Sequence, residues 1–426
     1  MTVFVFLGSL LAAMALGVPI AYSLLLSGVA LMWHLDMFDA QILAQNVVNG
    51  ADSYPLLAVP FFMLAGEIMN VGGLSRRIVR LALTLVGHRR GGLGFVTIVA
   101  ACLLAALSGS AVADTAALAA LLLPMMVQAG HDKARAGGLI ASAGIIAPVI
   151  PPSIGFVIFG VAANVSISKL FLAGIVPGLL MGVAIAFTWW WVAKKENITP
   201  PPPASWAERA RALRESTWAL GLPVIVLVGL KLGVFTPTEA AVVAAVYALA
   251  VATLVYRELH PRQLFEVFVS AARTTAVIMF LVAAAMVSAW LITVANIPSQ
   301  AMALLEPFMG NQTLLLVAIM LLVMAVGTAM DMTPTILIMT PVLMPIVRAA
   351  GIDPVYFGVL FIINNAIGLI TPPVGTVLNV VAGVGRMRMD DVTRGVLPFM
   401  AAQVAVMFLM VLFPWIVTGP ARWFAG

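Results

Sequence analysis

Two apolar stretches of this chain are broken in the same way, and few folds accommodate that. In the first half Ser108-Gly109-Ser110, with Asp114 close behind, is followed by Pro151-Pro152-Ser153. In the second, Gly327-Thr328 with Asp331 is followed by Thr371-Pro372-Pro373. From Pro124 onward the halves overlay without a gap at an offset of 221 residues. Pro124, Gly130, Asp132, Gly137, Pro151 and Pro152 then meet Pro345, Gly351, Asp353, Gly358, Pro372 and Pro373. This is an internal duplication. Adjacent prolines remove two amide donors and push the preceding residue out of helical conformation, so an extended break is expected at each pair. Paired breaks at matching places in two apolar halves point to a transporter binding site.

Composition sets the solvent. The chain is 63% hydrophobic and 9% charged, against about 25% charged in soluble domains, so it reads as a polytopic membrane protein. Val3–Trp33, Leu170–Ala193 and Val396–Val417 each reach the roughly 20 residues a helix needs to cross a bilayer. No ten-residue alternation suggests a β-barrel, which leaves an all-α fold, because helices satisfy their own backbone in lipid. The first stretch has no preceding basic residue and no small-residue cleavage pattern after it, so it reads as a retained span. Cys102, the lone cysteine, lies in an apolar run and reads as a small core thiol. The net charge of +5 comes from basic residues scattered at span ends, which report topology rather than nucleic-acid binding.

Loop charges orient the spans. Residues 34–53 carry Asp36, Asp39 and Asp52 and no Lys or Arg, whereas the next connection carries Arg76, Arg77, Arg80, Arg89 and Arg90. By the positive-inside rule the first loop is external and the second cytoplasmic, which places the N-terminus inside. Lys133 and Arg135 follow the first broken segment on the cytoplasmic side; residues 164–168 are external; Lys194, Arg209, Arg211 and Arg214 are cytoplasmic again. Two more spans lead to Arg257 and Arg262, and a long one ends outside near Asn296. The second broken segment therefore starts from the external face. The chain next meets Arg386, Arg388 and Arg394 inside, and a last span leaves the C-terminus outside. The two copies enter the membrane from opposite faces, forming an inverted repeat.

A helix interrupted at membrane depth exposes amide donors at one broken end and carbonyls at the other. Carbonyls and hydroxyls suit a hard cation such as Na⁺, and the positive ends of half-helices favour a carboxylate. Ser108, Ser110 and Thr115 supply hydroxyls around Gly109; Thr328 and Thr333 do so around Gly327. Asp114 and Asp331 have two readings that stay open together: helix capping and a part in an ion site. Thr333-Pro334 and Thr371-Pro372 each resemble a helix start with threonine as cap and proline in the first turn. Gly155 and Gly375 follow the proline pairs, and Asn364 and Asn365 precede the second break by about two turns. These amides suit substrate or a bond between helices.

Other features read as structural. Thr236-Pro237-Thr238-Glu239 is a capping box. Glu67 is expected to pair with Arg76 or Arg77, and Trp189–Trp191 beside Lys194 to anchor at the membrane interface. Pro200–Pro203 followed by a charged stretch reads as a cytoplasmic tether. No nucleophile–base pairing, phosphate loop or metal-ligand spacing is visible, so an enzyme is not indicated.

At the breaks, GSAVADTAA (109–117), VIPPSI (149–154) and ITPPVG (370–375) resemble the large membrane subunit of TRAP transporters, the tripartite ATP-independent periplasmic family. The resemblance runs from Pro19 to about Pro398, and residues 35–53 and 235–241 further resemble its 2,3-diketo-L-gulonate branch. It implies a Na⁺-driven importer of carboxylate-bearing organic acids in the bacterial inner membrane. It also implies a small membrane subunit, a periplasmic substrate-binding protein and an elevator mechanism. On that analogy residues 1–92 are scaffold spans, 93–165 the first transport repeat, 166–310 scaffold with linker 194–216, 311–390 the second repeat and 391–426 a final span. Ser108, Ser110, Gly327, Thr328 and Thr371 would offer oxygens to Na⁺. Exchanger and channel readings on the same plan stay open.

Overall fold

A computed structural model describes residues 2–194, 196, 198 and 200–425. Among these the regular structure is entirely helical, as the apolar composition requires in lipid. The chain runs through α1 (Thr2–Ala15), α2 (Ile20–His34), α3 (Ala40–Ala51), α4 (Ala58–Val71) and α5 (Leu74–Val86). The first repeat follows as α6 (Gly92–Ser108), α7 (Ala111–Gln128), α8 (Lys133–Gly144) and α9 (Ile154–Ala163). Then come α10 (Ile167–Ala193), α11 (Trp206–Lys231), α12 (Pro237–Ala250), α13 (Pro261–Val294) and α14 (Ile297–Leu305). The second repeat is α15 (Gln312–Gly327), α16 (Met332–Ala349), α17 (Pro354–Gly368) and α18 (Thr376–Gly385), before α19 (Met389–Leu412) and α20 (Trp415–Ala425). Among the described residues eight helical segments are long and apolar enough to cross a membrane.

The offset of 221 residues holds in three dimensions. Helices α7 and α16 begin at residues 111 and 332, and α8 and α17 at 133 and 354. Asp132 caps α8 by accepting the Arg135 amide at 2.9 Å, and its counterpart Asp353 caps α17 through the Tyr356 amide at 2.7 Å. Gly130 and Gly351 both take positive φ before these caps, at 94° and 69°, which a residue without Cβ adopts freely. Packing is reciprocal: α7 lies on α18, and α16 lies on α9. Each hairpin is thus braced by the half-helix of the other repeat.

Around this core α10 packs on α6, α8, α9, α17 and α19, and α19 packs on α8 and α17. A second group is built on α13, which carries α2, α3 and α4, while α12 packs on α4 and α11 on α5.

Several sequence expectations are corrected. Val3–Trp33 is not one span but two helices, α1 and α2, folded on each other across residues 16–19, with Gly17 at φ 81°. The single crossing expected there is thus two short helices, of 14 and 15 residues. Glu67 does not pair with Arg76 or Arg77; it accepts from Ser270 Oγ at 3.1 Å, and both arginines pair with Glu258, at 2.9 and 2.7 Å. Trp190 and Trp191 are exposed as interfacial residues should be, but Trp189 is fully buried, and its indole N–H donates to the Gly91 carbonyl at 2.8 Å. Cys102 is only half-buried at the edge of the core. The capping box at Thr236 and Glu239 is present, with both reciprocal bonds.

Candidate functional site

The first hairpin turns over two residues. Helix α6 ends at Ser108; Gly109 takes φ 62°, and Ser110 caps α7 by accepting the Ala113 amide at 3.4 Å. Ser108 Oγ accepts the Ser110 amide at 3.2 Å and donates to Asp114 Oδ1. Asp114 is 2% exposed, and its Oδ2 has no partner among the described residues. Thr115 Oγ1, packed against Gly144, has none either. The tip meets the first break directly: a Cβ on Gly109 would lie 2.2 Å from the Pro152 carbonyl oxygen. Pro151 and Pro152, joined by a cis peptide, are buried there. Ser153 caps α9, accepting the Phe156 amide at 3.3 Å and donating to the Pro148 carbonyl.

The second hairpin turns over four residues, 328–331. Thr328 Oγ1 donates back to Ala325 O at 2.7 Å, and Asp331 accepts from Thr376 Oγ1, the first residue of α18, at 3.2 Å. Gly327 packs on Gly368, where a Cβ would lie 3.0 Å from the Gly327 carbonyl oxygen. The Val374 amide reaches the Thr328 carbonyl at 3.4 Å. The Pro372–Pro373 peptide is also cis, but Pro373 and Val374 are exposed, unlike the first break. Thr371 Oγ1 donates to Ile367 O at 2.8 Å, and Gly375 precedes α18 at φ 42°. Asn364 donates across to the Met320 carbonyl of α15 at 2.6 Å, and Asn365 to Phe361 O within its own helix at 2.7 Å. Both amide oxygens lack partners among the described residues.

The structure thus gathers Ser108, Gly109, Ser110 and Asp114 with Pro152 and Ser153, and Gly327 and Thr328 with the second break. It separates the roles given to the two aspartates. In the structural register Asp331 corresponds to Ser110, both at N-cap positions, whereas Asp114 corresponds to Thr335. Neither aspartate side chain caps its helix: Asp114 takes a serine hydroxyl, and Asp331 takes a threonine hydroxyl from the other side of the break. Thr333 and Pro334 are the second and third residues of α16, not its start, and Thr371-Pro372 begins no helix, since α18 starts at Thr376. Three contributors went unnoticed in the sequence. Gly368 seats the second tip, Thr376 meets Asp331, and Met332 touches the first break, its Cε 3.1 Å from where a Gly155 Cβ would be. Only the Gly327–Gly368 pair left a trace, as two glycines in otherwise bulky helices.

What the arrangement offers is oxygen: hydroxyls, amide carbonyls and backbone carbonyls at two tip-to-break seams. Among the described residues no group of three or more His, Cys, Asp or Glu could hold a metal ion. A model of the DctM component of the tripartite ATP-independent periplasmic (TRAP) transporters matches residues 7–416. The chain belongs to this family. It is a transporter component and not an enzyme. It is 56% identical over 423 residues to the 2,3-diketo-L-gulonate TRAP transporter large permease protein of Escherichia coli K12, covering 99% of this chain and 100% of the relative. It is 39% identical to the sialic acid TRAP transporter large permease protein of Vibrio cholerae O1, over 97% of this chain and 96% of the relative. A crystal structure of the Alcanivorax borkumensis YdaH transporter has the same fold, with TM-score 0.64 at 16% identity over 90% of both chains.

Proposed function

We propose that this TRAP large permease imports carboxylate-bearing organic acids, sugar acids among them, by symport with Na⁺. The observation that carries the reading is the pair of tip-to-break seams, with Asp114 Oδ2 and Thr115 Oγ1 at the first and the Asn364 and Asn365 amide oxygens behind the second lacking partners among the described residues. They supply the hard, mostly neutral ligands a monovalent cation prefers, beside half-helix N-termini that attract a carboxylate. Ser108, Ser110 and the Pro152 carbonyl serve the ion at the first seam; Gly327, Thr328 and Thr371 serve the second. Asn364 and Asn365 lend amide oxygens behind them. The names of the two relatives support the substrate class, and a periplasmic binding protein and a small membrane subunit complete the system.

The packing supports an elevator in the bacterial inner membrane. Helices α10 and α19 bind both repeats, so we group them with the moving body and leave α1–α5 and α11–α13 as the frame. Loops of like expected sidedness also meet. Arg90 donates to the Lys194 and Glu196 carbonyls, His131 and Arg135 pair with Glu196, and Lys133 reaches the Arg386 carbonyl, which makes a basic cytoplasmic face. Arg348 donates to Ala163 O, and Lys169, Asp353 and Arg422 line one pocket on the opposite face. Gln300, just beyond the external end of α13, bonds Thr2 Oγ1 at 3.3 Å. With the α1–α2 hairpin, this supports a start of α1 on the external face, the face proposed for α20.

The test is uptake into proteoliposomes holding both membrane subunits, with binding protein and labelled sugar acid outside. Uptake that needs both the binding protein and an inward Na⁺ gradient is expected. Uptake that survives collapse of the gradient overturns symport, and uptake without binding protein makes the protein an exchanger or channel.

A further inference from the structure

We infer that Asp114 is a positioning residue: it holds the Ser108 hydroxyl so that a lone pair of Ser108 Oγ faces a cation at the first seam. This rests on the ion-site reading above and deepens it, because that reading leaves the carboxylate without a role.

A serine hydroxyl has one proton and two lone pairs. Ser108 gives its proton to Asp114 Oδ1 and uses one lone pair for the Ser110 amide, at 3.2 Å. One lone pair remains. Ser108 closes α6, and a serine there would ordinarily turn its hydroxyl back onto a carbonyl of the preceding turn, as Ser9 and Thr97 do elsewhere in this chain. Asp114 prevents that by offering its carboxyl oxygen in place of the carbonyl. The carboxylate itself is badly placed to be a ligand: it is 2% exposed, sits in the fourth position of α7, and is screened from the tip by the hydroxyl it holds. Its Oδ2 is buried with no donor among the described residues, so the carboxyl group is held only through the Ser108 hydroxyl.

The second seam is built differently. Thr335 stands in the register of Asp114 and spends its hydroxyl on the Asp331 carbonyl, at 2.8 Å, and the carboxylate there, Asp331, takes the Thr376 hydroxyl from across the break and not one from its own tip. At the first tip the Pro152 carbonyl lies beside Gly109 and accepts no hydrogen bond from the described residues. The Ser108 oxygen and that carbonyl thus face the same seam.

The experiment is a double-mutant cycle on the purified subunit pair, read as the Na⁺ concentration that gives half-maximal thermal stabilisation. Uptake is measured alongside. Ser108→Ala and Asp114→Asn are each expected to raise that concentration by about tenfold or more, and the double variant to be no worse than Ser108→Ala. Ser108→Thr, which keeps the hydroxyl, is expected to stay within about threefold of the parent. Multiplying losses in the double variant mean that Asp114 acts independently of Ser108, and overturn the positioning role alone. A parent protein with no Na⁺ response, or Ser108→Ala with an unchanged one, removes the first seam as an ion site and this role with it. If Asp114→Asn does not fold, the Ser108 pair decides: equal behaviour of Ser108→Thr and Ser108→Ala overturns the proposal.

Discussion

Replacing Gly109 by alanine probes the first seam with a single methyl group. Two separable costs arise. Gly109 sits at φ 62°, where a side chain costs about 1–2 kcal/mol. Its Cβ would also lie 2.2 Å from the Pro152 carbonyl oxygen, so tip and break must part by about 1.2 Å to reach the 3.4 Å of ordinary contact. The obstacle is backbone in a buried break, which cannot rotate away. Forced separation of this kind adds about 1–3 kcal/mol, for a total of about 2–5 kcal/mol. Gly130 is the control: φ 94°, with Ile198 Cγ1, 4.0 Å away, the one atom that a Cβ there would meet among the described residues. Gly130→Ala is expected to cost the backbone term alone, about 1–2 kcal/mol. Thermal unfolding of both variants, with and without Na⁺, is the assay. Gly109→Ala should have the lower midpoint and lose Na⁺ stabilisation by at least about tenfold in concentration, since a ligand shell does not survive a displacement near 1 Å. Equal midpoints and an intact Na⁺ response in both variants would refute the packed seam.

Three further outcomes follow from the packing. Trp189→Phe, which keeps the ring and loses the bond to Gly91, should destabilise by about 0.5–1.5 kcal/mol, whereas Trp189→Ala should cost about 3–5 kcal/mol, both read by thermal unfolding. Thr236→Ala removes the cap of α12 and should cost about 0.5–2 kcal/mol, partly restored by Ser at the same position. Asn364→Leu removes the bond that ties α17 to the Met320 carbonyl of α15 and should cost about 0.5–1.5 kcal/mol, more than Asn365→Leu, whose amide bonds within α17.

The sequence showed the hairpins and breaks because their punctuation is local: a proline pair or a Ser-Gly-Ser disrupts a helix in whatever context it stands. The offset of 221 residues carried over for the same reason, since a duplicated cap such as Asp132 and Asp353 folds from its own neighbours. Errors arose where distance matters. Glu258 lies 182 residues from Arg76, so nothing near Glu67 signals that the arginines are taken. Trp189 looks interfacial beside Trp190, yet Gly94 leaves the hollow that its ring fills, with a Cβ there only 2.0 Å from the indole. The aspartates look equivalent in sequence because both follow a tip, but the second turn is two residues longer, and that shift decides which positions correspond. A continuous apolar run likewise hid the α1–α2 fold, since Gly17 and Pro19 are mild interruptions to hydropathy and decisive ones to backbone.

On the proposed elevator the segment joining α10 to α11 is the tether between moving body and frame, and its length sets its reach. Glu196 is moored to the body by His131 at 2.6 Å and by Arg135 at 3.4 Å, while Ser205 caps α11 in the frame. Between these moorings lie nine residue steps rich in proline, a leash of about 28 Å at 3.1 Å per step. Casting off Glu196 moves the inner mooring back to Ala193 and lengthens the leash to about 37 Å. On that reading His131 and Arg135, far from the tips, govern how far the body travels, and a stroke can be trimmed there without touching the tip-to-break seams.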